Sequence, residues 1–219
     1  MASFFKLVLD TLAPQEVSLL INNGVTITAS HLVTLKISTK DAVTTGYQMK
    51  IWGGIEDAAL EADATWQTYT SSLQVTLSPS DGLKTIYVKV RDDVLNESSV
   101  VSATIEVNTA VPVVTLISGP DITRVSYNAP KDVVNFSWRA DVDIIEWKVC
   151  VVSTEADAHN VGIVIPVTNG SLNMSGLEVA ANTSVASVLK AKDMAVASDG
   201  DGEKIIKVFA KTASGIWSA

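Results

Sequence analysis

Few side chains in this sequence have the type and spacing that chemistry requires. The two histidines, His31 and His159, stand in different halves of the 219 residues, and no G-x-S-x-G, P-loop or H-E-x-x-H pattern gathers a nucleophile, a phosphate cradle or a zinc pair. Asp141 and Asp143, beside Glu146, have the composition of a general acid and base, but loop carboxylates in a chain of net charge −8 are ordinarily solvated, and no catalytic set is assigned. Asp92, Asp93 and Asn96, with Glu97, form an oxygen-rich loop of the kind that can hold calcium. Their spacing is not that of an EF-hand, and an Asx-type turn accounts for Asp and Asn there equally well. The single cysteine, Cys150, cannot form an intramolecular disulfide, and no Cys/His cluster has zinc-ligand spacing. The expectation is a protein that is not an enzyme and carries no cofactor or metal.

Binding surfaces are better represented. The segments around His159 and Asn160, and from Asn169 to Asn173, are rich in Asn, Ser and Gly, a composition suited to glycan or protein contacts and equally common in ordinary loops. Acidic residues outnumber basic ones by 24 to 16, which argues against a nucleic-acid partner held by charge. No run reaches the 18 or more apolar residues of a membrane span, despite a mean hydropathy of +0.28. The opening MASFFKLVLDTLAP has no basic region followed by a long apolar stretch, so synthesis and folding are expected in the cytoplasm.

The elements that must position these groups are strands. Thirty Val, 16 Ile and 20 Thr make up about 30% of the chain, a composition that favours pleated sheet. A degenerate internal repeat is present. Pro14 entering Gln15 to Leu19 matches Pro112 entering Val113 to Leu116, and Val33 to Ile37 matches Val134 to Trp138. Tyr47 to Trp52 matches Trp147 to Val152, and Asp81-Gly82 through Val90 matches Asp201-Gly202 through Ala210. The offset grows from 98 to 120 residues, placing about 20 inserted residues mostly between Ser153 and Asp199 of the second copy. Short alternating strands separated by Asn23-Gly24, Asp81-Gly82, Asn169-Gly170 and Asp201-Gly202 turns predict an all-β chain of two tandem immunoglobulin-like sandwiches. The expected layout is an amino-terminal strand over 1–12, one domain over 13–110 and another over 111–219. Trp52, Trp66, Trp138 and Trp147 are expected in the two cores; Trp217 is compatible with either core or surface.

The first copy, with Leu9 to Pro14, Met49-Lys50-Ile51-Trp52-Gly53 and Asp81 to Asp92 followed by Asn96-Glu97-Ser98, resembles the bacterial immunoglobulin-like modules of surface proteins and tailed-bacteriophage virions. The likeness covers residues 9 to 109; the second copy keeps only the proline entry and the Asp201-Gly202 turn. The resemblance implies display, adhesion or particle decoration. It points to a virion protein, folded in the host cytoplasm and multicopy beside other capsid or tail proteins, or alternatively to an adhesin for a host-surface glycan or protein.

The repeat also makes the ends informative. After Asn96-Glu97-Ser98 the first copy runs into a last strand, Val100 to Asn108, whereas the second reaches Ser218-Ala219 where that strand is expected to begin. The second sandwich is therefore expected to lack its own last strand and to present an open edge. Leu7 to Pro14 aligns with Ile105 to Pro112, so the amino-terminal segment reads as a last strand without a body. Alternation places Phe5, Leu7 and Leu9 on one face. Two readings stand side by side: these residues, together with Phe4, complete the second sandwich of another copy, or of the same chain, by strand addition, or residues 1 to 10 are a frayed tail or a strand anchored on an unrelated capsid or tail protein.

Overall fold

A computed structural model describes residues 5–41, 46–169, 172–173, 178–197 and 200–219. The chain divides into two compact units, Met1–Asn108 and Thr109–Ala219.

In the first unit the alternation of β-branched and polar residues produces eight strands: β1 (Gln15–Ile21), β2 (Ile27–Thr28), β3 (Leu32–Lys40), β4 (Tyr47–Gly53), β5 (Gln67–Thr68), β6 (Ser72–Thr76), β7 (Gly82–Asp92) and β8 (Val101–Val107). One sheet has the order β1-β3-β6 and the other β2-β8-β7-β4-β5. Their inward residues, among them Leu35, Ile86, Val88, Val90 and Ile105, are fully buried in one core. Two of the Gly turns do not close hairpins. Asn23 and Gly24, with φ of 61° and 90°, carry the chain from β1 in the first sheet to β2, which pairs in parallel with β8 in the second. Asp81-Gly82 likewise precedes a strand of the opposite sheet from β6. Positive φ is what such sharp redirections need, so a turn motif marks a corner without saying which strands it joins.

The second unit repeats the plan with β9 (Val114–Ser118), β10 (Val133–Ala140), β11 (Glu146–Val152), β12 (Ile163–Ile165), β13 (Thr168–Asn169), β14 (Leu172–Asn173), β15 (Val185–Lys190), a helix α1 (Ala191–Ala197) and β16 (Ile205–Lys211). Its sheets run β14-β13-β15-β10-β9 and β12-β11-β16. Strands β1, β3, β4 and β7 correspond to β9, β10, β11 and β16 with the same pairings, β1 on β3 as β9 on β10 and β4 on β7 as β11 on β16. The chain is thus two tandem immunoglobulin-like sandwiches. β8 has no counterpart among the described residues of the second unit, and neither does β2, the strand that β8 would pair. β12 pairs with β11 as β5 pairs with β4, and the added elements of the second unit are β13, β14 and α1. The helix was not anticipated from the strand-rich composition; Ala, Lys and Met favour it locally, and Ala191 and Met194, three apart on one face, are buried in the core.

Trp138 and Trp147 form the centre of the second core, edge to face at 5.0 Å, and the indole N–H of Trp138 donates to Ser187 Oγ at 3.1 Å. Trp52 is buried and stacks on Tyr87. Trp66 departs from the expectation of a core residue: it is only half-buried and lies beneath the Arg91 guanidinium, 4.3 Å from its ring centroid. A cation over an indole face is a stable arrangement at a surface, so aromatic type alone does not specify burial.

Candidate functional site

Strand β7 ends on the buried Asp92, whose position after an apolar strand turns its carboxylate back onto the following loop. Oδ1 accepts the backbone N–H groups of Val94 and Asn96, both at 2.9 Å, and Oδ2 accepts Asn96 Nδ2 at 2.8 Å. The loop is an Asx-type turn. Asn96 Nδ2 also reaches the carbonyls of Asp10 at 3.4 Å and Leu12 at 3.3 Å, tying the amino-terminal segment to this end of the first unit. In the second unit Thr212 replaces Asp92, and its Oγ1 accepts the Ile216 N–H at 3.2 Å. Long-range folding adds what the sequence did not show. Carboxylate oxygens of Asp10, Asp41 and Asp92 lie within 4.8 Å of one another, an oxygen set of the kind a hard divalent cation takes. Burial, and then the negative charge of Asp41, push the nearby Tyr47 phenol above its ordinary pKa, with Asp92 adding to the effect. Asp10 and Asp41 carried no sequence signal because each comes from a different connection of the sandwich.

The carboxylates of the second unit serve as backbone staples. Asp141 Oδ1 accepts the Val113 N–H at 2.7 Å, Asp143 Oδ1 accepts the Ala181 N–H at 2.7 Å, and Glu146 pairs with Lys211 at 3.2 Å. Asp141 and Asp143 each hold a connection, while the Glu146–Lys211 pair crosses from β11 to β16.

Among the described residues β16 is the terminal strand of its sheet, and Lys211 at its end forms a bridge to Trp217. The two copies are alike up to that point: Ser98 Oγ accepts the Val90 N–H at 3.0 Å, and Ser218 Oγ accepts the Ala210 N–H at 3.1 Å. They then diverge in burial. Ile86 and Val88, covered by β8, are wholly buried, whereas their equivalents Ile206 and Val208 are only partly so. Leu19 sits opposite Ile37 and is 7% exposed, while Leu116 sits opposite Trp138, the equivalent of Ile37, and is 54% exposed. Between β9 and β16 runs an apolar groove of about 390 Å³, bounded by Val113, Leu116, Trp138, Ile206 and Val208. Its position is the one β8 fills in the first unit.

Phe5, Leu7 and Leu9 are exposed at 83%, 83% and 85% and belong to no strand. Phe4 lies outside the described residues. The half-buried His159 ring stacks on Trp217 at 4.7 Å, and Trp217 packs on the patch formed by Cys150, Val152 and Phe209. Burial first, then the charges of Lys148 and Lys211, lower its pKa from the ordinary 6.5. Asn160 is exposed beside it. Asn169 and Asn173 fall on the two short strands of the β13–β14 hairpin, and their side chains lie outside the described residues. The structure therefore places Phe5, Leu7 and Leu9 on one exposed segment of the first unit, and His159 and Asn160 on the second unit.

No family model matches the chain, and no curated protein does. Among solved structures, the fibronectin(III)-like modules of Clostridium thermocellum CbhA are similar at 15% identity and a TM-score of 0.44, over 92% of this chain and 90% of that one. The chitinase ChiA74 of Bacillus thuringiensis is similar at 15% identity and a TM-score of 0.33, over 92% of this chain and 30% of its own. A two-domain fibronectin type III segment of chicken tenascin gives 10% identity and a TM-score of 0.30, over 91% and 99%. The fold assignment rests on the strand order and register above.

Proposed function

We propose that this chain is a non-enzymatic structural protein of a bacteriophage particle, decorating capsid or tail through sheet-edge contacts made by its immunoglobulin-like units. The observation that carries the reading is the apolar groove beside β16 in the same chain as an exposed apolar segment. Monomeric proteins rarely leave such surfaces uncovered, and an open sheet edge is a template for a further strand. The likeness of the first unit to virion modules supplies the setting, and folding in the host cytoplasm before assembly fits it. The hydrogen bonds of Asp92, Asp141 and Asp143 hold turns and connections. The alternative role as a glycan-binding adhesin loses His159, which is engaged with Trp217. Gold-antibody labelling of intact particles from the source lysate tests the proposal by electron microscopy. Label spread over heads or tail shafts is expected; label confined to the tail tip favours an adhesin, and unlabelled particles overturn both.

A further inference from the structure

We propose that Lys84, with the hydroxyls of Ser78 and Ser80, forms a binding site for a single phosphate-type oxyanion, either the free ion or the end of a phosphate monoester. Binding at this site does not depend on the particle role above, and either can fail alone.

Strand β7 turns every second residue inward, and Ile86, Val88 and Val90 on that face belong to the first core. Lys84 stands on the same face, paired with the wholly buried Ile105 of β8, and is itself only 6% exposed. The chain at Gly54 covers its stem: a side-chain carbon there would come within 2.9 Å of Lys84 Cβ. Gly54 is fixed in place by its N–H, which donates to the Thr85 carbonyl at 2.8 Å, and by its carbonyl, which accepts the Ser78 N–H at 3.0 Å. The ammonium reaches the connection between β6 and β7, where it donates to Ser78 Oγ and Ser80 Oγ, each at 2.8 Å. Ser78 is half-buried and Ser80 is exposed, so the group opens to solvent on the Ser80 side.

Charge and donor direction both favour an anion at this point. Among the described residues Lys84 forms no ion pair, so an almost wholly buried cation is met only by neutral hydroxyls. Enclosing a charge without a counter-charge is costly, and a bound oxyanion offsets that cost. Each serine oxygen that accepts from Nζ keeps its own proton to donate, and the ammonium keeps its third. The three donors suit the several acceptor oxygens of a phosphate. Lys207 in the second unit gives the contrast. Its Nζ also donates twice at 2.8 Å, but to the carbonyls of Glu155 and Asp157, which have no proton to pass on. In the internal repeat the counterpart of Lys84 is Lys204, which is half-buried, and Gly200 stands where the first copy has Ser80. The second copy therefore lacks this donor.

The test is a nitrogen-15 NMR titration of the chain of residues 1–219 with inorganic phosphate, against sodium chloride at matched ionic strength. Saturable shifts of the Ser78, Ser80 and Lys84 amides are expected with phosphate, while those of Asp157 and Lys207 stay in place. The same shifts with chloride, shifts shared equally by Lys207, or no saturation by about 50 mM phosphate overturn the assignment. Lys84→Met keeps most of the stem and removes the charge, and is expected to weaken binding at least about tenfold; Ser80→Ala is expected to weaken it about threefold. Ser80 is exposed, so its variant keeps the fold, and wild-type affinity in that chain overturns the site even if Lys84→Met does not fold. Glycerol 1-phosphate in the same titration separates the sources. Shifts like those of phosphate mean that the site takes the end of an ester, and a response to phosphate alone means that it takes the free ion. Saturable binding with unlabelled particles would keep this site and remove the particle role, and labelled particles without phosphate binding would do the opposite.

Discussion

At the residue scale, the most telling pair is Ser98 and Ser218, which make the same buried hydrogen bond to Val90 and Ala210. Removing either hydroxyl strands a buried N–H, so Ser98→Ala and Ser218→Ala should each lower the stability of their own unit by about 1–3 kcal/mol in chemical denaturation. His159 makes a different prediction. Its lowered pKa means that the folded state binds fewer protons than the unfolded one. The stabilisation is present above the unfolded value of about 6.5 and is lost as pH falls through the lowered folded value. The melting temperature should therefore drop on acidification below about pH 6.5, and His159→Gln should flatten that slope. Cys150 is wholly buried and its thiol is pushed up by that burial, so labelling by a thiol reagent should be slow in the native protein and complete on unfolding.

At the element scale, the contrast between β7 and β16 decides how much a core valine is worth. Val88 is enclosed by β8, whereas its equivalent Val208 borders the groove. Val88→Ala should cost about 2 kcal/mol, and Val208→Ala less than half as much, in chemical denaturation of the chain. Equal costs would mean that the groove is filled in the isolated chain. Strand identity was largely legible because alternation puts inward residues at every second position. The corners were less so: Asn23-Gly24 supports a positive-φ turn whether the next strand continues the sheet or crosses to the other one.

At the scale of the whole molecule, each unit carries its own core, Leu35 with Ile86, Val88 and Ile105 in the first and Trp138 with Trp147 and Val149 in the second. Residues 1–108 expressed alone should unfold in one cooperative transition followed by the fluorescence of Trp52 and Trp66. A chain that remains unfolded without residues 109–219 would show that the first core is not self-sufficient.

Repetition, alternation and proline entry in the sequence were enough to establish two strand-rich copies and the extra length of the second, because these depend on local spacing and self-comparison. Tertiary structure alone brought Asp10, Asp41 and Asp92 together, moved Trp66 out of the core and beneath Arg91, stacked His159 on Trp217, and shaped the groove between β9 and β16. Each of these depends on which distant segments share a sheet edge or a pole of the sandwich. A one-dimensional pattern specifies which side of a strand is apolar, but the segment that meets that side follows from the crossing of the chain between sheets.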